Sequence, residues 1–322
     1  MSSPDRYAVI GNPISQTKSP LIHMAFAAAS GQQISYTAIE GPLGRFAEAV
    51  DQFRAEGGKG LNVTLPFKLD ACAYATDLSD EARAAGAANA LKFDGDRVWA
   101  QNFDGVGLVR DITHNLWQAL KGRRVLLLGA GGASRGAVLP LLNQAPACLF
   151  VANRTSDKAR ELVRAFHGKG ASAALQGGGY DEIGRDAFDI VINATSASLS
   201  AEALPLPVSA FAADGLAYDM VYGKGLTPFL KLARQAGVHQ LADGAGMLVE
   251  QAAEAFAWWR GVRPATHELI ERISAPRCRA WTRARRRTGR DGAARGRSAP
   301  APAAPRRSAW RGCRRRGHAG PW

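Results

Sequence analysis

The sequence has few cysteines, and none of them sits in a metal-binding or redox pattern. The four form no C-x-x-C pair, and no histidine or acidic cluster joins them at the spacing of metal ligands: Cys72, Cys148, Cys278 and Cys313. The six histidines are scattered and lack a serine or cysteine partner pattern. We therefore expect reduced thiols, no metal ion and no nucleophilic triad.

Long apolar stretches are also missing. Nowhere do about 18 apolar residues follow one another, as a membrane-spanning helix requires. Residues Met1–Asp5 do not begin the basic and apolar pattern of a secretory signal. No repeat with the period of a solenoid is present. These features predict a soluble cytoplasmic protein without a membrane partner.

Basic charge is abundant but is concentrated at one end of the chain. The net charge is +13, from 41 Lys and Arg residues against 28 Asp and Glu residues. Residues 275–322 hold 15 of the bases and one acid, so residues 1–274 carry a net charge of −1. This Arg-, Ala- and Pro-rich tail has few aliphatic side chains, which predicts disorder. Nucleic-acid binding would depend on the tail alone, so we expect at most non-specific binding.

Apolar strand-like runs alternate with helix-like stretches before the tail. Such alternation predicts parallel strands joined by helical crossovers. The predicted strands are 7–10, 60–64, 124–128, 148–152, 188–193 and 215–220. The predicted helices are 20–29, 68–75, 133–142, 156–166, 227–236 and 247–260.

The length of 322 residues is sufficient for two domains. We predict an α/β fold in which two α/β domains face each other across a cleft. Residues 1–103 would form a substrate-binding and catalytic domain with a mainly parallel sheet, and residues 104–246 a Rossmann-type nucleotide-binding domain. A closing helical segment at 247–273 would return to the first domain.

A glycine-rich loop joins the predicted strand at 124–128 to a helix. Residues 129–136 read Gly-Ala-Gly-Gly-Ala-Ser-Arg-Gly. Glycines at such a junction let the backbone approach a pyrophosphate, and the helix N-terminus offers free N–H groups. Ser134 stands where a third glycine is usual, and it is small enough for close packing of helix on strand. A dinucleotide site is predicted at Gly129, Ala130, Gly131, Gly132 and Ala133, with a tight turn that binds nothing as the alternative.

The residues after the next predicted strand favour NADP over NAD. An acid about 20 positions after the glycine loop would bond the ribose 2′-hydroxyl of NAD. Instead, the strand is followed by Asn153, Arg154, Thr155 and, one turn later, Lys158. A guanidinium group can pair with a 2′-phosphate, which a carboxylate would repel. The alternative is a solvated helix start capped by Thr155 or Ser156.

Three polar segments of the predicted first domain fall at strand ends, where α/β sheets bind ligands. They are residues 11–20, 62–68 and 86–89. Asn62 and Thr64 are two positions apart, so both project from one face of an extended segment. The hydroxyls, amides and ammonium group suit a small polyhydroxylated carboxylate. Taken singly, Thr17 and Ser19 could equally be helix caps, and Asn89 a turn residue.

A series of short motifs resembles the shikimate dehydrogenase family. They are G-N-P-I-x-x-x-K-S-P, N-V-T-L-P-F-K, G-A-x-N, N-x-D-G-V-G, the glycine loop with N-R-T, N-A-T-S, Y-D-M-V-Y, T-P-F-L and D-G-x-G-M-L-V-x-Q-A. The motifs keep their order from Tyr7 to Ile273, which makes the series far more specific than any member. The resemblance implies reversible, NADPH-dependent reduction of 3-dehydroshikimate to shikimate, in the pathway to chorismate and aromatic amino acids.

The resemblance also implies roles for individual residues on the substrate side. The substrate carboxylate would be held by Thr17 and Ser19. The substrate hydroxyls would be bonded by Asn62, Thr64, Asn89 and Gln251. The catalytic pair would be Lys68 and Asp104, and the residue closing over the substrate would be Tyr222.

On the cofactor side, the resemblance implies two further groups. Residues lying beside the cofactor would be Asn193, Thr195 and Ser196. Residues framing the nicotinamide would be Met220, Gly244 and Met247. Ketone reduction needs a hydride at carbon and a proton at oxygen, and Lys68, at a predicted helix start, is the candidate proton donor.

Three departures from the family pattern keep alternatives open. Thr17 replaces a usual serine, Ala90 replaces a threonine, and Gln101 and Phe103 stand in a segment usually read as D-N-T-D-G. One alternative is therefore a relative that acts on quinate or another cyclitol carboxylate. Another is a non-catalytic NADP-binding regulator, which the retained Lys68 and Asp104 argue against. The oligomeric state stays open, with a homodimer as one alternative.

Overall fold

The computed structural model describes residues 3–170, 174–184, 186–200, 204–223 and 225–274. The predicted disordered tail at 275–322 lies outside the described residues. Among the residues described, none of the helices combines the length and the apolar character needed to cross a membrane. In the same part of the chain, no group of three His, Cys, Asp or Glu side chains is arranged to hold a metal ion.

The first half of the chain forms a six-stranded sheet with the order β2-β1-β3-β5-β6-β4. Its strands are β1 (Asp5–Gly11), β2 (Ile34–Glu40), β3 (Gly58–Val63), β4 (Asp77–Leu78), β5 (Ala90–Asp94) and β6 (Arg97–Gln101). Strand β1 pairs in parallel with β2 and β3, whereas β5 is antiparallel to both β3 and β6. The sheet is thus mainly parallel, as predicted.

Four helices accompany this sheet: α1 (Ser19–Ser30), α2 (Phe46–Ala55), α3 (Lys68–Tyr74) and α4 (Asp80–Ala85). Helix α1 begins with a proline in its first turn, where the missing N–H costs nothing, and ends at Gly31 in the left-handed conformation. Its apolar face buries Ile22, His23 and Phe26 against the sheet and against a later helix. Helix α3 starts directly at Lys68, so the fold places this side chain at a strand-to-helix junction.

The second half forms another six-stranded sheet, with the order β12-β11-β10-β7-β8-β9. Its strands are β7 (Arg124–Leu128), β8 (Cys148–Ala152), β9 (Ala174–Gly178), β10 (Phe188–Asn193), β11 (Phe211–Asp219) and β12 (Gln240–Asp243). All the pairings are parallel, and the strand order is that of a doubly wound nucleotide-binding sheet. Both faces are covered, so the Val125–Leu128 run is fully buried.

The helices of this half are α5 (Asp104–Arg110), α6 (Gly132–Leu142), α7 (Ser156–Ala165), α8 (Ala197–Ser200) and α9 (Pro228–Gln235). A π-helical turn, Asp111–Asn115, extends α5. Helix α5 approaches α6 closely, because a Cβ at Gly105 would overlap the Gly136 carbonyl oxygen. Only glycine permits this approach.

Two helices close the described chain: α10 (Ala245–Arg260) and α11 (His267–Ile273). The predicted helix 247–260 corresponds to α10, which Gly261 ends in the left-handed conformation, and α11 follows as a separate helix within the predicted closing segment 247–273. Helix α10 packs its apolar side with Tyr7, Phe26 and other core residues of the first half. It also contacts α5, since a Cβ at Gly107 would lie 2.7 Å from the Gln251 backbone nitrogen. Where one domain ends and the next begins stays a prediction.

Candidate active site

A cleft of about 750 Å³ is lined by residues from both sheets and from α10. The first half contributes the ends of β1 and β3, and the second half contributes the loops after β10, β11 and β12. All nine predicted catalytic and substrate-binding residues line it: Thr17, Ser19, Asn62, Thr64, Lys68, Asn89, Asp104, Tyr222 and Gln251. Residues that are far apart in sequence therefore meet around one space, at the strand ends where α/β sheets bind ligands.

Lys68 and Asp104 form an ion pair in this cleft. The Lys68 Nζ lies 2.5 Å from Asp104 Oδ2, and each residue is the first of its helix. The Lys68 side chain is 27% exposed and the Asp104 side chain 13% exposed. The arrangement offers a charged proton donor and an adjacent acceptor to one small molecule.

Asn89 connects the ion pair to helix α10. Its Nδ2 donates to Asp104 Oδ1 at 2.9 Å and to Gln251 Oε1 at 3.1 Å. Its Oδ1 accepts from the Phe103 backbone N–H at 2.8 Å. Both amide hydrogens and one oxygen lone pair are thus used within the protein, so Asn89 orients Asp104 and Gln251 before any ligand binds.

The carboxylate-binding candidates lie at the start of α1. Thr17 Oγ1 donates to Ser19 Oγ at 3.2 Å, and the Ser19 backbone N–H donates to Thr17 Oγ1 at 3.3 Å. Between them, Lys18 extends toward the other half, where its Nζ lies 5.7 Å from the centre of the Tyr222 ring. Both Lys18 and Tyr222 line the cleft, so this contact joins its two walls.

The glycine loop has the features that a bound pyrophosphate requires. Gly129 has a φ of +104°, and an added Cβ there would press on Thr195 at 3.1 Å. Apart from the adjacent residues and the backbone of α6 itself, no described atom lies within 4 Å of a Cβ built at Gly131 or Gly132, so the backbone there is open to a ligand. The Ser134 hydroxyl is buried without a hydrogen-bond partner in the described structure. These residues fit a dinucleotide phosphate at the start of α6.

The predicted 2′-phosphate contacts lie next to this loop. The Gly129 N–H donates to the Ala152 carbonyl at 2.7 Å, which places the end of β8 beside the glycines. Arg154, Thr155 and Lys158 follow that end and are exposed. The Asn153 side chain donates to the Thr155 carbonyl at 2.9 Å and shapes the turn. A cationic surface therefore borders the place where the adenosine ribose would lie.

Three predicted cofactor-site residues, at the end of β10 and in the loop that follows it, differ in whether they line the cleft. Thr195 and Ser196 line the cleft, as does Ala133 of the glycine loop. Asn193 is fully buried, and its amide bonds Ser198 and Asp219 at 3.2 Å each. Its Oδ1 accepts from the Thr195 hydroxyl at 2.7 Å. Asn193 thus shapes the loop that carries Thr195 and does not line the cleft itself.

Met220, Gly244 and Met247, the predicted neighbours of the nicotinamide, line the cleft. Gly244 touches Met220 so closely that an added Cβ would overlap the Met220 carbonyl oxygen. The Met247 N–H donates to the Tyr218 hydroxyl at 3.3 Å, and that hydroxyl donates to Asp111 Oδ2 at 2.7 Å. The start of α10 is therefore held by a buried side-chain pair behind the cleft.

Burial raises the pKa of the Asp111 carboxyl to about 6, and hydrogen bonds from Tyr218 and Asn115 partly offset this effect. The neighbouring carboxylates of Glu250 and Asp243 raise the pKa further. Asp111 thus has a raised pKa in a buried position next to Tyr218 and two further acids.

Sequence reasoning missed several cleft residues. Lys18 lies within a family motif without a role that the sequence predicts, although its contact with Tyr222 spans the cleft. Val221 and Leu248 also line the cleft, next to the predicted Tyr222 and Met247. Proximity in sequence to predicted residues was the one signal that could have identified them.

Three family models match successive parts of the chain. They are described as the shikimate dehydrogenase substrate binding domain (residues 9–91), shikimate / quinate 5-dehydrogenase (residues 111–201) and the shikimate 5'-dehydrogenase C-terminal domain (residues 244–273). A shikimate dehydrogenase (NADP(+)) from Dechloromonas aromatica (strain RCB) is 56% identical over 271 residues, which are 84% of this chain and 98% of that protein.

Solved structures are similar over the same part of the chain. An Ael1 enzyme from Pseudomonas putida is 56% identical with a TM-score of 0.82, covering 85% of this chain and 99% of its own. Shikimate 5-dehydrogenase from Thermus thermophilus, in complex with NADP(H) and shikimate, is 30% identical with a TM-score of 0.72. That match covers 84% of this chain and 99% of the Thermus chain.

Proposed function

This chain belongs to the NADP-dependent shikimate dehydrogenase family, and on that premise we propose that it interconverts 3-dehydroshikimate and shikimate, with reduction by NADPH as its working direction. The resemblance seen in the motifs is confirmed for the family, and the chain is an NADP-dependent oxidoreductase of the shikimate pathway. The observation that carries the finer proposal is the Lys68–Asp104 ion pair within the cleft.

Lys68 is the proposed proton donor. When bound, the nicotinamide of NADPH supplies a hydride to the ketone carbon. The Lys68 ammonium group gives a proton to the ketone oxygen, which becomes the hydroxyl of shikimate, and the resulting amine takes up a proton from solvent. Asp104 accepts a hydrogen bond from Lys68 and so holds the ammonium group at one place. In the reverse direction the same amine accepts the hydroxyl proton.

The remaining polar residues would orient the ring. Thr17 and Ser19 would bind the carboxylate through their hydroxyls, which already lie within 3.2 Å of each other. Asn62, Thr64 and Gln251 would bond the ring hydroxyls, with Asn89 acting partly through Gln251. Tyr222, supported by Lys18, would cover the ligand. Fixing the ring in one orientation is what makes the hydride and the proton arrive at the same carbonyl group.

NADP is the cofactor of this family, and the residues of this chain fit it. We place its pyrophosphate at Gly129–Ala133 and its 2′-phosphate at Arg154, with Asn153, Thr155 and Lys158 around the ribose. Thr195, Ser196, Met220, Gly244 and Met247 would border the nicotinamide end. The open backbone at Gly131 and the Ser134 hydroxyl, which has no hydrogen-bond partner among the described residues, support this placement.

The test is an absorbance assay at the NADPH band with 3-dehydroshikimate, and with shikimate and NADP⁺ in reverse. We expect turnover in both directions. Binding of NADPH without turnover of either compound would contradict the proposal and would favour a cofactor-binding regulator.

The same absorbance assay, run with NADP⁺, compares shikimate and quinate as substrates. Thr17 carries one methyl group more than the serine usual at this position, and its hydroxyl is a proposed contact of the substrate carboxylate. We expect kcat/KM with NADP⁺ to be higher for shikimate than for quinate. A higher value for quinate would reassign the substrate while leaving the reaction type unchanged.

A further inference from the structure

A buried tyrosine lies behind the proposed substrate face. Tyr36, on strand β2, is 6% exposed, and its hydroxyl donates to Asn62 Oδ1 at 2.7 Å. Asn62, on β3, is 5% exposed and lines the cleft. The tyrosine itself is not among the described residues that line the cleft.

The hydrogen bonds of Asn62 define which end of its amide is available. Its Nδ2 donates to the Asn89 carbonyl oxygen at 3.3 Å, a partner that can only accept. The amide oxygen must then face Tyr36, whose hydroxyl donates to it. The buried His23 ring also interacts with the Asn62 side chain, but among the described residues no second acceptor lies in good hydrogen-bond geometry to the Asn62 Nδ2. The group that Asn62 can present to a ligand is therefore a donor.

The Tyr36 hydroxyl also interacts with the second part of the proposed substrate site. Burial raises the pKa of Tyr36 well above its ordinary value, and a hydrogen-bonding interaction with the Ser19 hydroxyl partly offsets this rise. The hydroxyl thus stays protonated, and it lies between Asn62, a proposed contact of the ring hydroxyls, and Ser19, a proposed contact of the carboxylate. One buried O–H connects two regions of the site.

The Tyr36 ring is held in place by stacking. It lies parallel to the His23 ring, with 4.3 Å between centroids and 5° between planes. His23 is fully buried, and burial lowers its pKa to about 3, so it packs as a neutral ring. Such a stack restricts the tyrosine to one position, and its hydroxyl is held with it.

We propose that Tyr36 is a positioning residue, which orients the Asn62 amide so that it donates a hydrogen bond to a ring oxygen of the substrate. The inference rests on the proposed function, since it takes the substrate to be shikimate. Without the Tyr36 hydroxyl, the Asn62 oxygen is buried without a donor, and the amide rotates or moves to find one. The donor offered to the substrate is then lost for part of the time.

The experiment is the Tyr36→Phe variant, which removes one oxygen atom and keeps the ring stacked on His23. We expect KM for shikimate to rise roughly five- to tenfold, because one neutral hydrogen bond is weakened. The kcat should change by less than about threefold, and KM for NADP⁺ should not change, because Lys68 and the glycine loop are untouched. Shikimate binding without cofactor, measured by calorimetry, should weaken by the same factor as KM rises.

Tyr7→Phe is a matched control. Tyr7 is the parallel-register partner of Tyr36 on β1, is equally buried, and stacks on Trp259. Its hydroxyl accepts from Arg260 at 3.4 Å instead of bonding a cleft residue. Removal of this hydroxyl should lower stability comparably and leave KM for shikimate unchanged.

A double-mutant cycle with Asn62→Ala identifies the route of the effect. If Tyr36 acts through the Asn62 amide, then Tyr36→Phe changes KM in the natural chain but not in the Asn62→Ala background. An equal rise of KM in both backgrounds, or an equal rise in Tyr7→Phe, would overturn the inference. Failure of the natural chain to turn over shikimate would count against the proposed function instead, so the two failures are distinguishable.

Discussion

The side chains of two single residues, Lys68 and Asp104, are neither fully buried nor fully exposed. Full burial would cost several kcal/mol of desolvation for each charge, whereas an exposed pair contributes little and is held loosely. With side-chain exposures of 27% and 13%, the two groups stay in contact and remain accessible from the cleft. Their environment is suited to a proton donor that must meet a ligand repeatedly in one geometry.

Replacement of Lys68 tests its role as proton donor. We expect Lys68→Ala to lower kcat by roughly 10²- to 10⁴-fold, the usual contribution of general acid catalysis, with a smaller change in KM. Steady-state rates with 3-dehydroshikimate and NADPH measure both constants. Lys59→Ala is the control, since Lys59 is exposed on β3, the strand that leads to Lys68. A loss smaller than threefold in Lys68→Ala would exclude Lys68 as the donor.

Arg154 should determine the choice between the two dinucleotides. In Arg154→Ala we expect the Kd of NADPH to rise at least about tenfold, because a charge-assisted bond to the 2′-phosphate is removed. The Kd of NADH, which lacks this phosphate, should change by less than about twofold. Fluorescence titration of both dinucleotides measures the difference. Arg164→Ala, an exposed arginine near the other end of α7, is the control, and equal losses for both ligands would refute the assignment.

At the level of secondary-structure elements, one residue, Asp111, connects three of them behind the cleft. It lies in the π-helical turn after α5, accepts a hydrogen bond from Tyr218 of β11, and packs against Gly246 of α10. A Cβ at Gly246 would overlap the Asp111 carboxylate, so the carboxylate rests on the first turn of α10. That turn carries Met247, which lines the cleft.

The raised pKa of Asp111 predicts a pH-dependent stability. Its carboxyl has an ordinary pKa of 3.8, and burial raises it to about 6 in the folded chain. Between these values the folded state binds one proton more than the unfolded state does. The stabilisation is therefore present below about pH 4 and is lost as the pH rises through 6, with a total of roughly 3 kcal/mol.

Urea denaturation of wild type and Asp111→Asn from about pH 4 to 7 tests this prediction. The free energy of unfolding of the wild type, taken relative to the variant, should decrease as the pH rises through this window. Asp96→Asn, which changes an exposed turn residue, is the control and should show no such trend. A difference between wild type and Asp111→Asn that does not depend on pH would contradict the interpretation.

The strands that are buried on both faces of a sheet were the easiest to predict from the sequence. Strands β7, β8 and β10 have the predicted bounds, because a parallel strand covered on both sides needs a continuous apolar run. The edge strands β2, β4, β9 and β12 were not predicted, since each is very short or interrupts its apolar residues with polar and small ones. The antiparallel pair β5 and β6 was also missed, because it lacks the alternation of strand with helix.

The candidate site could be predicted from the sequence where one motif supplies several polar residues that would contact a ligand. All the predicted substrate-side residues line the cleft, although their roles stay predictions. Tyr36 and His23 were not interpreted as part of a site, because they are aromatic residues within apolar surroundings. Only the three-dimensional contact between the Tyr36 hydroxyl and Asn62 gives this tyrosine a polar function.

Within the whole molecule, the proposed chemistry and the excess of positive charge belong to different parts of the chain. The cleft residues all fall between Val9 and Gln251, whereas 15 of the 41 basic residues lie in 275–322. The family models also end at residue 273. Catalysis should therefore not depend on the last segment.

Truncation after Ser274 tests this separation. We expect kcat/KM for 3-dehydroshikimate to stay within about twofold of the full chain, because the truncated chain keeps every residue of the cleft. Any salt-dependent DNA binding of the full chain should disappear, since the phosphate-binding charge is removed. Parallel assays of the two chains measure both properties, and loss of turnover on truncation would show that the segment contributes to the site.

Lys68 and Asp104 each stand at the first position of a helix, and Asn89 already holds Asp104 in place. The reacting pair is thus preorganised, and its entropic cost is met once, during folding, instead of at every encounter with a ligand. Inhibitors that copy the oxygen pattern of the substrate on a rigid ring should benefit most, because neither partner has to adapt. Flexible analogues with the same oxygen atoms should bind more weakly, because binding restricts rotation about their own single bonds and so costs conformational entropy.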